Sequence, residues 1–132
     1  MKITIPISAG ELVDKITILE IKSVKIKDKN KLAQGKFELN HILKKYNSLK
    51  ISARTKKKLN ILKNRLLKVN ASLWNTEDAI RKLELSKDFG EDFISRARSV
   101  YITNDKRFKL KNEINMLLGS AVNEVKDYKK YK

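Results

Sequence analysis

The sequence predicts an all-α protein, a bundle of about five helices with a long helix at about 53–86 and a short N-terminal β-strand. Three observations carry that class. The only proline is Pro6, so nothing beyond it forbids helix. Leu59, Leu62, Leu66, Val69, Leu73, Thr76, Ile80 and Leu83 step by three and four without a slip, the stripe of a packed bundle or coiled coil. Finally, 132 residues with 41% apolar side chains suffice for one hydrophobic core and leave no room for a second domain.

In chain order, Ile3, Ile5 and Ile7 alternate with Lys2, Thr4 and Pro6, a period of two that predicts a strand over 1–8 with Pro6 at an edge. Its partner would be Val100-Tyr101-Ile102-Thr103 or the same strand of a second chain. Ser8 and Glu11 have capping-box spacing, which starts the first helix and carries it to about Lys27. Breaks are expected at Asp28-Lys29-Asn30, Lys50-Ile51-Ser52, Lys87-Asp88-Phe89-Gly90 and Thr103-Asn104-Asp105, giving five helices. The last of them shows Leu110, Ile114, Leu117, Ala121, Val125 and Tyr128 on one stripe. Trp74, Phe89 and Phe93 fall among apolar neighbours and read as core anchors.

The chain carries 31 Lys and Arg against 15 Asp and Glu, a net charge of +16. Nearly all the excess is lysine, 25 against six Arg, and Lys, Ile and Asn all have A/T-rich codons, so base composition contributes to the total. Residues 22–68 hold 16 bases and two acids, forming a strongly basic helical region. Lys44, Lys45, Lys50, Arg54, Lys56, Lys57, Lys58, Lys63, Arg65 and Lys68 cluster around one expected turn. Phosphate backbones or anionic lipid would dock there, and six phosphate contacts would weaken duplex binding about a thousandfold between 50 and 200 mM salt.

Without cysteine there is no disulfide framework, thiolate nucleophile or thiolate metal site. No uncharged stretch is long enough for a membrane span and no signal-peptide core opens the chain, so a cytoplasmic protein is expected. His41, the only histidine, reads as a solvated helix residue, and no phosphate-loop, dinucleotide or H-E-x-x-H signature occurs. No cofactor or metal is therefore expected, and the balance leans away from an enzyme.

Several polar residues contradict the helical pattern. Projected at 100° per residue, Asn70 and Glu77 fall between the seam of the third helix and the flank formed by Leu67 and Trp74. Arg81 lies four residues after Glu77, the favourable order for an intrahelical ion pair. Glu20 falls among apolar residues of the first helix, Arg107 on the stripe of the last, and Lys111 at that stripe's edge. Buried ions need partners, so Glu20, Glu77, Arg81, Arg107 and Lys111 are expected to meet inside the bundle. Either they form a network that fixes helix register, or, with Tyr101 near the N-terminus of the last helix, they hold a small anionic ligand.

The opening K-I-T-I-P-I-S-A-G-E-L-V-D-K-I-T-I-L-E-I-K (residues 2–22) resembles the start of an uncharacterised family of small bacterial and phage proteins, catalogued as a domain of unknown function. The resemblance continues through Val69 to Trp74, Glu77-Asp78 with Arg81, Asp88-Phe89-Gly90, Ala97 to Arg107, Leu110 to Asn115 and Leu117 to Ala121. It leaves out roughly 30–68 and implies no activity. What it implies is that any shared property sits in the strand, the first helix and the C-terminal half. The sequence thus points to a binding or assembly module working through a protein partner or self-association, with a possible anionic ligand between helices. Nucleic-acid binding at the basic end is the alternative, and a small enzyme acting on a phosphorylated or sugar-nucleotide substrate comes third.

Overall fold

A computed structural model describes all 132 residues and contains four helices, α1 (Ala9–Lys25), α2 (Lys29–Asn47), α3 (Ala53–Leu85) and α4 (Glu91–Leu118). The all-α class holds, whereas five helices and a strand do not. Residues 1–7 form no strand and join no ladder, and Ile3 and Ile5 are exposed. A lone period-two segment has no ladder to join, because Val100 to Thr103 lie inside α4. The Thr103-Asn104-Asp105 break fails for a similar reason. These side chains disfavour helix by only a few tenths of a kcal/mol each, which packing of α4 along α3 overrides. The expected last helix to Tyr128 stops instead at Gly119, which adopts the left-handed conformation (φ 60°) that ends helices.

The other boundaries follow local chemistry. Ser8, Asp28 and Ser52 each cap a helix by accepting the backbone N–H three residues on. Glu11 does not close a reciprocal box, since its carboxylate reaches Lys111 across the bundle.

Helices α3 and α4 form the most extensive pair, and α1 packs on all three others. The seam of α3 is buried or half-buried at each of its eight positions. Val13, Leu59, Leu66 and Ile114, all fully buried, bring α1, α3 and α4 together. The three expected core anchors lie outside the core: Trp74 and Phe93 are half-buried, and Phe89 is exposed and packs edge-on against Phe93 at 5.2 Å. Helix α2 packs mainly on α1, with Tyr46 reaching the core beneath Lys63 of α3, and contains no fully buried residue. No helix is long and apolar enough to cross a membrane.

Candidate functional site

Where α1 meets α4 the backbones approach closely at Gly10, whose position lets no side chain intervene. A Cβ there would overlap the Lys111 carbonyl group and sit 3.0 Å from Asn115 Oδ1. Two free N–H groups at the start of α1 are taken up across this contact: Gly10 N donates to Asn115 Oδ1 at 2.6 Å and Ala9 N to Ser120 Oγ at 3.0 Å. One turn deeper lies Asp14, 1% exposed. Its carboxylate accepts two hydrogen bonds from the Arg107 guanidinium, with Nε at 2.9 Å from Oδ1. Asn70 Nδ2 lies 2.9 Å from both Asp14 Oδ1 and Thr17 Oγ1, donating to each, and Thr17 Oγ1 donates to the Asp14 carbonyl at 2.8 Å. A carboxylate, an amide, a hydroxyl and a guanidinium from three helices thus satisfy one another in the core.

The electrostatics keep this cluster ionised. Burial pushes the Asp14 carboxyl up, but hydrogen bonds from Arg107 and Asn70 and the charges of Arg107 and Lys111 outweigh it and hold the group below its ordinary value. Its hydrogen bond to Asp14 raises Arg107 further, against the opposing effect of burial. Burial pulls Lys111 down, yet Glu124 and Glu11, at 2.7 and 2.9 Å, leave it above its ordinary value. Asp14 is therefore a fixed anion at neutral pH and Arg107 a cation braced from one side.

The Arg107 side chain, 28% exposed, also lines a cavity of about 540 Å³ between α1, α3 and α4. Ile18, Ile21, Leu73 and Trp74 make an apolar wall, while Asn70, Asn104 and Arg107 line the polar side with Glu77, Asp78 and Arg81. Exposure of Glu77 and Arg81 puts them at the rim.

Of the seven residues expected at an inter-helix site, four line this cavity: Asn70, Glu77, Arg81 and Arg107. Three do not. Glu20 reaches outward to Lys63 at 3.1 Å, Lys111 is taken by Glu11 and Glu124, and Tyr101 packs edge-on against Tyr131. The expected Glu77–Arg81 pair is not formed; the neighbouring register, Asp78 to Lys82 at 3.2 Å, is used instead. Nor does a helix N-terminus assist Arg107, because α4 begins at Glu91 and Arg107 lies well inside it. Asp14, Thr17 and Asn104 escaped the sequence reading. The available signal was Asp14 itself, the shortest acid on a helix apolar nearly all round: unlike Glu20, its carboxylate cannot snorkel to the surface.

At the basic end, Lys44, Lys45, Arg54, Lys56, Lys57, Lys58, Arg65 and Lys68 are exposed and without ion-pair partners, whereas Lys63 is half-buried against Glu20. Comparison with curated proteins and with solved structures gives no match. A family model does match, over residues 1–131, and so includes the basic 30–68 stretch that the resemblance had left out. The chain belongs to the family of unknown function DUF6165.

Proposed function

We propose that the protein is a non-enzymatic binding module that holds a small anionic ligand in the cavity between α1, α3 and α4. The observation that carries this reading is Arg107: Asp14 fixes its orientation by two hydrogen bonds, and its partly exposed side chain lines the cavity together with Arg81, which has no ion-pair partner. A guanidinium pre-organised in this way loses little freedom on binding an anion and offers donors in a planar fork. Trp74 and the two isoleucines supply apolar area for the rest of the ligand. Asp14 is held ionised and fully hydrogen-bonded, which suits a counter-ion better than a proton shuttle. For a protein partner or a second copy the same reading offers an apolar groove of about 520 Å³ on α3 and α4, lined by Ile61, Leu62, Met116 and Leu117.

The test is thermal melting with inorganic phosphate, nucleotides and sugar nucleotides. A member of the panel at 100 times its Kd adds about 2.7 kcal/mol to stability. Arg81→Met, an exposed position, keeps the unliganded melting temperature and loses the ligand-induced shift. No shift with any panel member, or a full shift in Arg81→Met, removes the proposal.

A further inference from the structure

A second surface stands apart from the cavity. Helix α2 turns its half-buried Leu32, Leu39, Ile42, Leu43 and Tyr46 inward, while Phe37 on the opposite face is 72% exposed. The Phe37 ring stacks on His41 (centroids 5.9 Å apart, planes 30° apart), which leaves the other face of the Phe37 ring open. Lys2 Nζ donates to His41 Nε2 at 3.1 Å, placing a cation beside the pair. Lys44, seven residues after Phe37 and three after His41, lies on the same face. From there the chain passes Lys45 and the turn into the basic first half of α3. Of the 16 bases in residues 22–68, only Lys63 meets a carboxylate.

We propose that this outer face of α2, continued into the turn before α3, binds single-stranded nucleic acid. Lysine ammonium groups would meet successive phosphates as point charges, and Phe37, backed by His41, would stack on a base. Single strands are favoured over duplex because only unpaired bases present the ring face that an aromatic side chain needs. A lipid surface is disfavoured because Phe37 is the one large apolar side chain that α2 exposes, too little to bury into a bilayer. With lysine in place of the guanidinium forks that read base edges, little sequence preference is expected.

The test is fluorescence anisotropy of the full chain with a labelled 20-nucleotide oligothymidylate and with an abasic phosphodiester strand of equal length and charge. The base-bearing strand binds about tenfold more tightly, and Phe37→Ala abolishes that difference while its circular-dichroism melt matches wild type. With six phosphates engaged, affinity for the single strand falls about 300-fold between 50 and 200 mM salt. Lys44→Glu with Lys45→Glu flattens that slope. Absence of binding at 50 mM salt, equal binding of the abasic strand, indifference to Phe37→Ala, or tighter association with phosphatidylserine vesicles would each overturn the proposal. Arg81→Met leaves this binding unchanged, so its outcome is independent of the cavity.

Discussion

Asp14 and Arg107 form the most consequential side-chain pair in the bundle, because removal of either leaves the other charge in the core. Arg107→Met strands a carboxylate that is 1% exposed, which costs about 3–5 kcal/mol and is read as a fall in the urea midpoint at unchanged slope. The pH dependence has a definite sign. Asp14 is depressed in the folded state, so its contribution is complete above the unfolded value near 3.9 and is lost as pH falls through the lower folded value. Lys111 is raised, so its contribution is complete below about 10.4 and is lost as pH rises through the higher folded value. In Asp14→Asn the stability deficit relative to wild type is consequently largest near neutrality and shrinks below about pH 3.9, which melts across an acid series measure. Gly10 makes a different demand, purely steric. Gly10→Ala drives a methyl group into the α4 backbone, which cannot rotate away as a side chain would, and lowers stability by about 1–3 kcal/mol.

Among the elements, α3 divides along its length. Its fully buried positions, Leu59, Leu66 and Asn70, lie in the first part, and from Leu73 to Leu83 the same stripe is half-buried. Leu66→Ala therefore costs about 2–5 kcal/mol, whereas Leu83→Ala costs appreciably less, a contrast that paired denaturation curves check. The stripe itself was legible from spacing alone, as was the Ser8 cap, and the breaks holding Asp28 and Ser52 were legible from their polar residues, because periodicity, capping and turn chemistry are local properties. What was illegible depends on neighbours. Three low-propensity residues at 103–105 look like a break until α3 is laid alongside them, and Ile3, Ile5 and Ile7 look like a strand until the expected partner, Val100 to Thr103, is found inside α4. The cavity was half legible for the same reason. Projection finds a polar residue on an apolar face, as it did for Asn70 and Arg107, but side-chain length decides whether the charge stays inside, like Asp14, or escapes to a surface partner, like Glu20.

For the molecule as a whole, the one helix with no fully buried residue is also among the most basic. The core joins α1, α3 and α4, and the greatest density of unpaired positive charge lies on α2 and the first half of α3. Because α2 packs mainly on α1, with Tyr46 beneath Lys63 of α3 as its further contact, and buries no residue fully, it is the helix least anchored in the core, and repulsion among its lysines favours its release. Screening acts over about 10 Å at 0.1 M salt, comparable to the spacing between neighbouring helices, so added salt weakens that repulsion without touching the buried Asp14 cluster. Native-state hydrogen exchange should then show α2 amides opening at a lower free energy than those of α1, with the gap narrowing as sodium chloride rises from 20 to 200 mM. Equal protection of the two helices at low salt would mean that α2 belongs to the same cooperative unit as the core, and that the basic face unfolds only with the whole molecule.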